Sequence, residues 1–168
     1  MNIKGLFAIA LMTFVGVVNG ESAVQEADAV ARDLQVVNFS TKLANAVNTK
    51  RTQKGLKAVC IDTKLTKAAQ VLANDMARNN FVNTRGSDGS TPTMRYKAQG
   101  LTPSKSAELV AAGYTSVEAG VAAWIKSAGA YLYSDLKFIG IGYRYDSSRQ
   151  YKHYWVVDIA NTNDEVCG

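Results

Sequence analysis

Histidine is nearly absent from this 168-residue chain, with His153 the single one. A histidine-based metal cluster needs at least two imidazoles, so none can be built from this sequence. Cysteine is limited to Cys60 and Cys167. With both assigned to a bridge, no cysteine–histidine nucleophile pair is left. A serine–histidine–aspartate arrangement stays open, because serine and aspartate are plentiful, but no nucleophile elbow is visible. Two prolines make no proline-rich linker, and no internal repeat divides the chain. The charge is a mild +5, and no run of Lys and Arg is interleaved with aromatics. A nucleic-acid groove therefore has little support. The longest apolar run, Gly5 to Val18, falls short of the roughly 20 residues that span a bilayer as a helix.

What is present begins at the N-terminus. Asn2 and Lys4 form a short basic start, the apolar run follows, and Val18-Asn19-Gly20 offers a plausible cleavage point. This is the three-part pattern of a secretory signal, with a membrane anchor as the alternative. The expected organisation is a signal peptide over 1–20, a flexible mature segment over 21–39 and one domain over 40–168. At 47% hydrophobic and 20% charged residues, that domain can bury a single core without help from metals. In an oxidising compartment the even cysteine count reads as one disulfide, Cys60 to Cys167, two free thiols being the alternative. Its long loop would be worth about 4–5 kcal/mol. Asn38-Phe39-Ser40 is a glycosylation sequon, meaningful only where the host glycosylates secreted proteins.

Periodicity then predicts the elements. Ser40 reads as an N-cap, with Leu43, Ala44, Val47 and Arg51 at helical spacing until Gly55. Leu56 to Ile61 reads as a short extended connection. Asp62 caps the strongest helix, whose apolar stripe is Leu65, Ala68, Ala69, Leu72, Ala73 and Met76. Asn79 to Pro92 is a polar loop, and Thr93 to Gln99 predicts a short helix ending at Gly100. Thr115 and Glu118 fit a capping box that opens a helix stopped by Gly129. Phe138 to Tyr145 and Tyr151 to Ala160 predict a hairpin of two strands. The pattern describes an α+β layered domain.

Several of these segments resemble one family. Asp75-Met76-Ala77-Arg78-Asn79-Asn80-Phe81 and the loop Gly86 to Pro92 look like the CAP superfamily, which includes cysteine-rich secretory, antigen 5 and pathogenesis-related proteins. Ala107 to Tyr114 is similar to its Gly-Glu-Asn-Ile-Ala motif, and Trp124-Ile125-Lys126-Ser127-Ala128-Gly129 to its Trp-x-x-Ser-Pro-Gly. Phe138 to Tyr143 and Tyr154 to Val157 resemble its closing strands, in the manner of the microbial and fungal-like branch. The resemblance implies a three-layer α-β-α sandwich with a central cleft, where many members hold a divalent cation between two histidines and acidic residues. Aligned on Asp88-Gly89-Ser90, the first of those histidines falls at Thr84, or at Asn83 if the loop shifts by one. The second falls at Ala130, and Glu108 alone stands as the family has it. One carboxylate with a hydroxyl and a methyl cannot build a tight zinc site. Weak Ca²⁺ or Mg²⁺ binding is the most such a remnant could support. Glu108 itself reads as a hydrogen-bond acceptor for the cleft backbone or as a ligand contact.

These readings predict a secreted, extracellular, monomeric protein with no cofactor, no metal and no catalytic residue. The expected partner, implied by the resemblance, is a lipid or sterol-like ligand or an extracellular protein. The competing expectation is a secreted hydrolase of peptides or cell-wall material, which would need a histidine or second carboxylate facing Glu108. A third is an interaction module working through the loop from Asn79 to Pro92. His153, in an aromatic strand, is expected to be packed or surface-exposed rather than catalytic. The many strand tyrosines are expected to pack their rings, or together to line a carbohydrate or lipid surface.

Overall fold

In the computed structural model, residues 38–162 are described. The expected signal peptide, most of the 21–39 segment and Cys167 lie outside them. Helix α1 runs over 38–52. It is followed by β1 (Cys60–Ile61), α2 (Thr63–Asn79), α3 (Pro92–Ala98), β2 (Lys105–Ala112), α4 (Val117–Leu132), β3 (Phe138–Tyr145) and β4 (His153–Asn161). The strands form one mixed sheet in the order β1-β3-β4-β2, parallel only between β1 and β3.

Side-chain alternation along the strands sends successive residues to opposite faces. On one face Ile139, Ile141, Trp155, Val157 and Leu109 pack with Leu43 and Val47 of α1 and Val121 and Trp124 of α4. On the other, Tyr154 and Val156 meet Ala69, Leu72 and Met76 of α2, while Leu65 meets Phe138 and Tyr96 of α3. This is the three-layer α-β-α sandwich that the family resemblance implied.

The α2 prediction holds residue by residue. Asp62 is the N-cap, its carboxylate accepting from the Leu65 amide at 2.7 Å, and all six stripe residues have 0% exposure. The helix lies very close to β3 because Gly140 and Gly142 face it. A Cβ built on Gly140 would stand 2.2 Å from the Leu65 carbonyl carbon, and one on Gly142 2.3 Å from the Ala69 oxygen.

Four expectations are corrected. Ser40 is not an N-cap: the helix is already under way at 38, and Ser40 is buried with its hydroxyl donating to the Ile141 carbonyl. Phe39, expected in a flexible segment, stacks 4.3 Å from the Tyr143 ring and so belongs to the folded domain. The cap of α4 is Ser116 rather than Thr115, its hydroxyl accepting from the Ala119 amide at 3.2 Å. Gly129 does not stop α4. The helix kinks at Ala128 (φ −145°) and continues to Leu132, whose burial beneath α1 holds the last turn in place. There Arg51 of α1 donates to the Leu132 carbonyl at 2.6 Å and the Ser134 carbonyl at 2.9 Å.

Candidate functional site

The positions that carry polar chemistry meet beneath α3, on the α2 side of the sheet. This short helix is opened by Pro92 and by Thr91, whose hydroxyl accepts from the Met94 amide. Its two buried residues, Arg95 and Tyr96, point into the domain. On the sheet below, Glu108 of β2 and Asp158 of β4 are directly opposite partners. Arg95 Nη2 donates to Glu108 Oε1 at 2.8 Å and Oε2 at 2.9 Å, and to the Thr84 carbonyl at 2.7 Å. Its Nη1 donates to the Ser90 carbonyl and hydroxyl, both at 3.0 Å. Tyr96 donates its phenol proton to Asp158 Oδ1 at 2.9 Å.

The electrostatics divide the two carboxyl groups. Both are raised above their ordinary values by burial. Arg95 opposes this at Glu108 and stabilises the carboxylate, whereas Asp158 is raised further by the Glu108 charge and by their mutual hydrogen bond. Asp158 is therefore the member pushed further toward its protonated form, and its Oδ1 accepts from Tyr96. Burial also pushes the Tyr96 phenol well above its usual range, which keeps it a donor.

Of the sequence-predicted positions, Glu108 and Thr84 share the Arg95 guanidinium, but neither is placed as expected. Thr84 contributes its backbone carbonyl, not its hydroxyl, and the Glu108 side chain is 1% exposed. Asn83 accepts from the Arg85 amide at 2.9 Å in a local turn. Ala130 is exposed in the last turn of α4, past the kink. Sequence reading missed Arg95, Tyr96 and Asp158. Asp158 did leave a signal, as a lone acidic residue at an inward position in an otherwise apolar strand. His153 is half-buried, its Nδ1 2.8 Å from the Tyr143 hydroxyl, and burial with Lys152 nearby lowers its pKa. The tyrosines do not act as one group: Tyr96, Tyr143 and Tyr154 are buried while Tyr131 and Tyr145 are exposed.

An open groove of about 560 Å³ lies along β2, lined by Val82, Val110, Ala112, Tyr114, Trp124 and Tyr151 among others, with Lys126 and Ser127 from α4. A second, more polar depression of about 530 Å³ borders Asp75 and Ser87. Asp75 is occupied there with its own loop, accepting from the Ser87 amide at 2.7 Å and hydroxyl at 2.6 Å.

The sequence matches the CAP, cysteine-rich secretory protein family, over residues 44–159. This chain belongs to the CAP family. It is 29% identical over 108 residues to the uncharacterized protein YkwD of Bacillus subtilis, covering 62% of this chain and 42% of YkwD, so it spans under half the length of that relative. The fold is similar to an extracellular protein containing a SCP domain from Bacillus anthracis (TM-score 0.65, 16% identity, 74% of this chain and 40% of that one). It is also similar to an outer surface protein of Borrelia burgdorferi (TM-score 0.64, 22% identity, 73% and 92%).

The cation held by many CAP members does not fit the residues found here. Both Glu108 oxygens are engaged by a guanidinium, which repels a metal ion. Thr84 turns its carbonyl to the same cation, and Ala130 offers a methyl group. Among the described residues no three His, Cys, Asp or Glu side chains are grouped as metal ligands.

Proposed function

We propose that this CAP protein is secreted and acts outside the cell as a non-enzymatic binding protein. Its ligand is a lipid or sterol-like molecule, or an apolar segment of an extracellular protein partner, taken by the groove along β2. One observation carries the reading: Glu108 is enclosed, with both oxygens spent on Arg95, while the adjoining surface that does open to solvent is mainly apolar. Asp158 does face Glu108 as the hydrolase reading requires. But a general acid or base must reach the atom whose proton it moves, and both carboxyl groups are enclosed rather than set across an open cleft. An enclosed carboxylate bonded to arginine serves instead to hold α3 and the 80–91 loop against the sheet. A small number of polar groups around an apolar depression is the usual make-up of a ligand site.

The outer location is supported by the signal-like N-terminus and by relatives described as extracellular or outer-surface proteins. We assign Cys60 to a disulfide with Cys167, in keeping with the absence of a free cysteine among the described residues. Asn38, exposed at the start of α1, would be glycosylated in a host with that machinery.

Trp124 borders the groove, so its fluorescence reports on occupancy. Titration of the oxidised protein with a soluble sterol analogue, with laurate and with short peptides should give saturable quenching for at least one class. Hydrolysis of a protein or cell-wall substrate that disappears in Glu108→Gln would contradict the reading.

A further inference from the structure

β2 is an edge strand, and its hydrogen-bonding pattern is fixed by its neighbour. The Gly113 amide donates to the His153 carbonyl at 2.9 Å, which marks a hydrogen-bonded pair. Such pairs alternate along an antiparallel ladder. Ala107, Leu109 and Ala111 therefore bond to β4, while Ser106, Glu108, Val110 and Ala112 turn their N–H and C=O groups outward. Two observations agree with this phase. The Trp124 indole, reaching the outer edge from α4, donates to the Val110 carbonyl at 3.1 Å. Glu108 is only half-buried although its side chain is 1% exposed, so what solvent meets there is its backbone.

Among the described residues Trp124 is the side chain that bonds to this edge. The strand has no proline or bulge, and its single lysine, Lys105, stands at one end. Edges of this length are usually blunted, because they template another strand. Here Val110, Ala111 and Ala112 of the edge also form the floor of the groove. Val82 and Tyr151 rise on one side, with Ala123, Trp124 and Ser127 of α4 on the other.

We infer that the β2 edge is a binding site for one extended peptide, added as a fifth strand antiparallel or parallel to β2. The inference rests on the groove reading above and takes its protein-partner branch. Apart from the Val110 carbonyl, which the Trp124 indole holds, the outward amides and carbonyls recur every two residues and match an extended polypeptide. The groove walls flank this edge at Val110 to Ala112. Alternate peptide side chains would enter the Val82–Tyr151 side and the Trp124–Ser127 side. Lys126, exposed at the rim, favours an acidic residue at the adjoining peptide position.

The test uses the full oxidised chain. A phage-displayed library of random heptapeptides is selected against it, and synthetic copies of the enriched sequences are titrated with amide hydrogen exchange as the readout. The expected result is slowing of the Ser106, Glu108 and Ala112 amides by tenfold or more on binding. Ser106→Pro and Ala112→Pro remove outward donors without touching the β4 ladder, and each should weaken binding about tenfold. If a proline variant fails to fold, the exchange pattern in the unchanged protein still decides. The inference is overturned if no peptide is enriched, if bound peptides leave those amides fast, or if the amides are already protected in the free chain. Laurate that binds beside Trp124 without any peptide binding would overturn the peptide inference and leave the groove reading standing. Absence of every ligand would remove both.

Discussion

Glu108 and Asp158 face each other with the same functional group in different electrostatic surroundings, because only Glu108 touches a cation. Removing that carboxylate in Glu108→Ala strands a buried guanidinium, which is expected to cost about 3–5 kcal/mol in urea denaturation. Asp158→Asn acts differently. Native Asp158 keeps a proton that the unfolded chain releases above pH 3.8, so native stability declines as pH rises from there toward the elevated native pKa. An asparagine mimics the protonated acid and still accepts from Tyr96. The variant should melt at or above the wild-type temperature at neutral pH, with a flatter profile between about pH 4 and 7. His153 has the opposite sign: its lowered pKa means stability falls as pH drops below 6.5. That contribution is common to both proteins and cancels in their difference. A melting temperature lowered as far as that of Glu108→Ala would refute the neutral-acid assignment.

At the scale of elements, α2 and the β3–β4 hairpin were legible because their apolar periods are unbroken over two or more turns or strand repeats. β2 was not. Lys105 to Ala112 is built of Lys, Ser, Ala and Glu with few strand formers, and it is held extended by eight pairings with β4 rather than by its own preference. Missing the strand also hid the pairing of Glu108 with Asp158, which no local pattern reveals. Arg95 was equally hidden, since arginine on a short polar helix gives no sign of burial. The family resemblance implied an open cleft around Glu108, whereas its side chain is enclosed. The contact of α2 with β3 depends on the absence of a Cβ at two positions. Gly140→Ala would drive a methyl into the helix backbone, which cannot yield as a side chain can. We expect a loss at or beyond the upper end of the roughly 1–3 kcal/mol usual for overpacking, measured by chemical denaturation.

For the whole molecule, the proposed secretion and the proposed bridge predict one observable mature form. Mass spectrometry of material from the culture medium should show a chain beginning near residue 20 and lacking two hydrogens relative to its reduced state. A full-length, reduced chain retained in cells would contradict this. The domain's interior then divides its work: α2 and the sheet supply most of the buried apolar surface, while Arg95 ties the loop over 80–91 to the sheet through Glu108. In this arrangement Glu108 anchors Arg95 beside an open groove.

Calorimetric titration of the full, oxidised chain with zinc at neutral pH tests that claim most directly. The Arg95-bound Glu108 predicts no site of micromolar affinity or better. A one-to-one site at that affinity, abolished in Glu108→Gln, would contradict it.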